Sequence, residues 1–270
     1  MSSPTSSTPP PPSPNPFPAP AVAPEPMGPG LSEPQRLLDV FIAPSKTFAD
    51  VKRKATWWVP WLLLTLMGAA YLLTIDKKIG WEAIIQARMA HATPFFQRAL
   101  DQMTPEQKQN IIERQVNGSR RGIYYAPVIV LLYGLIAAGV LTPTFNFALD
   151  AGVKFKHALA VVFYGALPRI LWLGLGMVSI YAGVEADGFD HENPVATSLG
   201  TFLGINSDSR FLYRFLSGFD IFFIWIVIVI GLGFAQIATR KISKGSAITV
   251  VAGWYLVMIL CRAVLASVIG

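Results

Sequence analysis

Five stretches of nearly unbroken apolar residues, 57–75, 123–149, 158–182, 219–239 and 247–269, alternate with polar connections along this chain. Each approaches or exceeds the roughly 20 apolar residues that a helix needs to cross about 30 Å of hydrocarbon. None shows the polar/apolar alternation of barrel strands, and lipid offers an unpaired backbone no partner, so the pattern predicts helices. The expected fold class is all-α, a polytopic integral membrane protein with five transmembrane helices and additional interfacial helices. An odd number of crossings leaves the two chain ends on opposite sides of the bilayer.

The segments outside the runs divide the chain further. Residues 1–34 consist largely of Ser, Thr, Ala and Pro, including the run Pro9 to Pro12, and predict a disordered tether, since such a stretch cannot gather a core. No basic start followed by an apolar stretch opens the chain, so the first span is expected to serve as its own insertion signal. Residues 35–56 form an amphipathic lead-in. Pro44 should break a first helix, Ser45 can cap a second, and Phe48 and Val51, three apart, should face lipid. Lys52, Arg53 and Lys54 then meet acidic headgroups or an acidic partner, beside Trp57, Trp58 and Trp61 at the boundary. Residues 57–270 form the membrane domain. Within it, 76–122 reads as an exterior helical hairpin, with one helix interrupted at Pro94 and another capped by Thr104 with Pro105 and Gln107 behind it.

Composition sharpens the picture. Hydrophobic residues make up 53% and charged residues 14%, against roughly 25% charged in soluble domains, and the mean hydropathy is +0.47. The net charge of +6 does not imply nucleic acid, because the bases flank apolar runs, where anionic headgroups account for them. Lys52, Arg53, Lys54, Lys154, Lys156, Arg240, Lys241 and Lys244 fall on one side of a five-span arrangement, whereas residues 183–218 are acidic. The positive-inside rule therefore predicts a cytoplasmic amino terminus and an exterior carboxyl terminus. Segment 76–122 runs against this, with eight basic residues on the exterior.

Few side chains suggest chemistry. No glycine-rich phosphate loop, His-Glu-x-x-His pair or Gly-x-Ser-x-Gly elbow occurs, so no enzyme and no cofactor is expected. Asp187, Asp190, His191 and Glu192 could in principle hold a divalent cation. Their spacing departs from a calcium loop and the segment is rich in turn formers, so it reads as a solvated acidic loop. Cys261, the single cysteine, lies within the last run and reads as a buried apolar residue. His91 and His157 read as isolated. Arg169 lies near the middle of the third span and must face the bundle, water or a carboxylate. Arg262 and Asp220 lie toward the same end of their spans and are expected to pair. Asn146 and Gln236 should bond between helices, Pro143 and Pro168 should kink theirs, and Gly134 with Ala138, Gly174 with Gly176, and Gly231 with Gly233 should permit close packing.

The combination of five spans with Phe41-Ile42-Ala43-Pro44-Ser45-Lys46-Thr47-Phe48, Tyr164-Gly165-Ala166-Leu167-Pro168, Asn193-Pro194 and Phe219-Asp220-Ile221-Phe222-Phe223-Ile224-Trp225 resembles the bacterial branch of the Yip (Ypt/Rab-interacting protein) domain family over about residues 37–269. The resemblance implies architecture more than activity and brings no catalytic residues. In eukaryotic relatives it implies association with prenylated small GTPases in vesicle traffic. The resulting expectation is a non-catalytic multi-pass membrane scaffold, in the cytoplasmic membrane if the host is a bacterium, with membrane lipids, an unidentified protein or a second copy of the chain as partners. The alternative is a small-solute permease.

Overall fold

The computed structural model describes residues 30–92, 94–204 and 209–269, so the expectation for the Pro-rich residues 1–29 lies outside the described residues. The fold is that of the unit Leu31–Gly270, whose elements are helical. Four segments are long and apolar enough to cross a membrane: Trp58–Lys78, Pro105–Leu149, Phe155–Tyr181 and Lys244–Ala266. A fifth, Ile221–Ile237, is apolar throughout but has only 17 residues, the lower limit of roughly 17 for a span. Five crossings therefore hold as an approximate count.

The lead-in is a helical hairpin, α1 (Glu33–Ile42) and α2 (Pro44–Arg53). Ser32 caps α1 through a reciprocal capping box with Gln35. Pro44 occupies the first turn of α2 and divides the two helices, but Ser45 is not the cap; Ala43 holds that position without a side-chain bond. The amphipathic face also points elsewhere than expected. Phe48 and Val51 are fully buried in the main apolar core, where α2 packs on α10 (Ile221–Ile237) and α7 (Phe155–Gly165). Periodicity fixes the apolar face of a helix, not whether protein or lipid covers it. Leu38 and Ile42 are the large apolar residues exposed on α1.

After α3 (Trp58–Lys78) come α4 (Trp81–Ala90) and α5 (Pro94–Asp101), divided at Pro94 as expected. The next helix departs from expectation. α6 (Pro105–Leu149) starts at the Thr104 capping box and continues without interruption into the second span. Its 45 residues extend about 67 Å, twice the hydrocarbon thickness, so its polar first part stands clear of the membrane-spanning part and α4 packs against it. Pro127 and Pro143 lie inside it. Trp61 donates its indole N–H to the Pro127 carbonyl, tying α3 to α6, and Thr142 and Thr144, on either side of Pro143, donate to the carbonyls of Ala138 and Val140.

The third span does break. α7 stops at Gly165 and α8 (Pro168–Tyr181) starts with proline in its first turn. The carbonyl of Tyr164 is not left open, because Leu167 N–H donates to it at 3.2 Å. α10 sits at the centre, touching α2, α7, α8 and the last helix α11 (Lys244–Ile269). Small residues make this possible. A Cβ on Gly231 would come within 2.7 Å of the Ile248 Cα, and one on Gly233 within 2.5 Å of Val161 and 3.0 Å of Phe48. Gly134 and Gly176 are equally close to neighbours, whereas Gly174 faces open space. Cys261 is exposed on α11 rather than buried.

Candidate functional site

The end of the bundle where α3, α7 and α11 begin and α6 and α10 finish is basic. Lys52, Arg53, Lys54, Lys154, Lys156, Arg240, Lys241 and Lys244 are all exposed. Asp150 is the exposed carboxylate there and pairs with Arg240, while Glu33 and Asp39 are part-buried. Local geometry gathers these bases. Lys52 donates to the Ala238 carbonyl at 2.7 Å, tying the hairpin to the last turn of α10. Thr239 N–H donates to Ala151 O at 2.9 Å, tying α10 to the turn between α6 and α7. Asn146 closes that turn on Val153 at 2.7 and 3.0 Å instead of bonding to another span. Of the three predicted contact residues, Lys52 is thus partly committed to the protein and Arg53 stands 3.8 Å from Asp50, while Lys54 extends outward.

Beneath the bases lies a buried ion pair. Arg36 contacts Asp50 at 2.6 Å and Glu33 at 3.1 Å, and Tyr164 of α7 donates to Glu33 at 2.5 Å. This locks the hairpin to itself and to the third span.

The opposite end carries a larger network. Between α8 and α9 (Arg210–Ser217) the chain forms a loop with a short 3-10 helix, Leu199–Phe202. Asp190 in this loop is buried; it meets Arg214 at 2.6 Å and accepts from Tyr213 at 2.9 Å. Glu192 meets Arg214 at 3.0 Å and Arg262 of α11 at 2.9 Å. Arg88 of α4 reaches His191 Nδ1 at 2.6 Å. Tyr71 of α3 donates to the His191 carbonyl and Tyr255 of α11 to that of Gly218, each at 2.9 Å. The expected solvated acidic loop is therefore a cross-braced polar core, and the described residues include no group of three or more metal-ligating side chains. His91, expected to stand alone, contacts Asp187 at 2.8 Å.

Electrostatics follow the packing. Burial alone would raise the Asp190 carboxyl, but Arg214, the Glu192 N–H, His191 and the Tyr213 hydroxyl hold it below the usual range. Burial, then Asp190, pushes the Tyr213 hydroxyl up to about 12. Burial and the adjacent Arg88 lower the His191 imidazole.

The expected pair of Asp220 and Arg262 is not formed. Asp220 is fully buried, caps α10 by accepting the Phe222 N–H at 2.8 Å and accepts from the Thr197 hydroxyl. Arg262 turns to Glu192 instead. A helix start leaves N–H groups that a carboxylate satisfies without needing a cation. Arg169 is exposed on α8, with its guanidinium 5.1 Å from the ring of Trp172 and 5.6 Å from that of Phe223. No carboxylate lies within ion-pair distance of it among the described residues.

Residues 38–265 match the profile of the Yip1 domain. The chain belongs to the Yip1 domain family. No curated protein and no solved structure matches it significantly. The match runs from inside the α1–α2 hairpin to the last turns of α11, so it takes in the second half of α1 and all of α2 together with the spans. A multi-pass membrane protein is what the family and the apolar helices together establish. Arg36, Asp50, Arg88 and Arg214 were not singled out by sequence, and Asp190 was singled out only as part of a solvated acidic loop. The one local signal for them is Arg210 and Arg214, four apart on a short helix with Phe211 and Phe215.

Proposed function

We propose that this Yip1 domain protein is a non-catalytic scaffold that presents its basic end, on the cytoplasmic side of the membrane, to acidic protein or lipid partners. The observation that carries the reading is the gathering, among the described residues, of eight exposed bases around the docked hairpin, against a single exposed carboxylate. Such a patch attracts anionic surfaces, at about 1 kcal/mol per base beside an acidic leaflet. The docked hairpin gives the patch a fixed frame, because Lys52 is held on Ala238 and Arg36 is held on Asp50. In the eukaryotic members of the family the partners are small GTPases; for this chain, placement in the bacterial branch and in a cytoplasmic membrane belongs to the proposal. The test is charge reversal of Lys52, Arg53 and Lys54 to Glu, followed by capture from native membranes. Loss of co-purifying partners is expected, and unchanged recovery of every partner contradicts the reading.

A small-solute permease is the second reading, favoured by the exposed, carboxylate-free Arg169 within a span. It requires water to reach the core beside that residue. Tyr164 and Leu173 are buried, so cysteines at these positions should resist a soluble thiol reagent if the scaffold reading holds. Rapid labelling at Leu173→Cys would support the permease.

A further inference from the structure

We propose that the pocket between α4, α9 and α11, at the end opposite the basic patch, binds a phosphate-bearing anion, the headgroup of an anionic phospholipid. The cavity has a volume of about 190 Å3 and is lined by Arg88, His91, Arg210, Tyr213, Arg214 and Ala266, among others. That falls below the roughly 300–1,000 Å3 of sites for drug-sized molecules, so a headgroup fits where a larger solute does not.

Charge favours an anion. Among the described residues three arginines, Arg88, Arg210 and Arg214, line the cavity, and with Arg262 behind them they face three carboxylates, Asp187, Asp190 and Glu192, set just outside the lining. The carboxylates are committed: Asp190 and Glu192 to Arg214 and Arg262, and Asp187 to His91. Among the described residues Arg210 is the cation in excess. Its polar contact among the described residues is a 3.3 Å donation to the His91 carbonyl, which uses one of five donors. Arg88 stands 3.9 Å from Asp190, too far for a strong bond, and retains donors as well. Arg210 and Arg214 are one turn apart on α9 and line the same wall. Guanidinium forks match phosphate oxygens in pairs.

The surroundings select a lipid over free phosphate. Ala266 belongs to the last turns of a membrane-spanning helix, so the cavity opens at headgroup level. Phe211 and Leu212 on α9, with Phe202 and Leu203 just before it, are exposed and offer an apolar surface for acyl chains. Basic pockets beside spans hold anionic headgroups in this way.

The experiment uses the full-length protein in nanodiscs of phosphatidylcholine with graded phosphatidylglycerol, with retained lipid counted by native mass spectrometry. The wild type should retain phosphatidylglycerol preferentially. Arg210→Gln should weaken that preference about tenfold through loss of charge-assisted bonds, with an unchanged melting temperature in pure phosphatidylcholine. If Arg210→Gln does lower that temperature, Arg210→Lys decides, because it keeps the charge and breaks the fork; a partial loss of preference is expected. Reversal of Lys52, Arg53 and Lys54 should remove only the phosphatidylglycerol held at the basic end and leave the share that Arg210→Gln removes, so that the two losses add, which separates the site from the scaffold reading. Inorganic phosphate that competes with lipid at millimolar concentration, without any preference for phosphatidylglycerol, would assign the pocket to a soluble anion and overturn the lipid. Equal retention of both lipids by the wild type, or no effect of either Arg210 variant, overturns the site.

Discussion

The two ends of this protein use the same four groups in different ways. At the basic end, Arg36 is forked between Asp50 and Glu33, with the Tyr164 hydroxyl on the glutamate. At the loop end, Arg214 is forked between Asp190 and Glu192, with the Tyr213 hydroxyl on the aspartate. The first set is local and closed: three of its members lie within one hairpin, and the Arg36 side chain is only 3% exposed. The second draws in Arg88 and Arg262 from distant helices and leaves Arg210 unmatched by a carboxylate among the described residues. A closed set fixes a fold, whereas an open one with surplus charge has capacity for a ligand.

The largest test of this contrast removes one aspartate from each set. Asp50→Ala leaves Arg36 buried with only the part-exposed Glu33, and a loss of about 3–5 kcal/mol is expected in chemical unfolding. Asp190→Ala should cost less, about 2–3 kcal/mol, because the Arg214 side chain is 17% exposed and keeps Glu192. Equal losses would erase the distinction. A smaller effect probes how the hairpin is seated. Gly233→Ala forces a Cβ onto Val161 and Phe48 and should destabilise by about 1–3 kcal/mol with faster proteolysis between α1 and α2, whereas Gly174→Ala, in open space, should be silent.

The smallest effect concerns protons at the loop end. The His191 imidazole is held below its ordinary value by burial and Arg88, and it also faces Arg214, Asp190 and Glu192. Folding therefore favours its neutral form. The associated stability is present above the unfolded value of about 6.5 and is lost as the pH falls from there toward the folded value. Wild-type melting temperature should drop between pH 7.5 and 5.5 by more than that of His191→Gln; parallel curves would count against this assignment.

Sequence revealed what the bilayer imposes and missed what tertiary contacts decide. The spans were legible because hydrocarbon requires long apolar helices, and the break before Pro168 followed from its missing donor. The α6 continuation was not, because residues 105–122 are polar and neither periodicity nor hydropathy links them to the span behind them. Phe48 and Val51 marked an apolar face without naming its cover. The ion networks were invisible to spacing, since Arg88 and His191 are 103 residues apart and the acidic loop read as solvated from its turn formers. Of the eight basic residues in 76–122 that run against the positive-inside rule, two stand beside carboxylates: Arg88 3.9 Å from Asp190 and Arg120 3.0 Å from Asp76.

The claim on which the rest depends is that the basic end and the loop end face opposite sides of one membrane. Single cysteines at Lys54 and Gly188, in a Cys261→Ser background, can be challenged with a membrane-impermeant thiol reagent in sealed, oriented vesicles. Labelling of one position from outside, and of the other only after the vesicles are opened, is expected; labelling of both from the same side would contradict it.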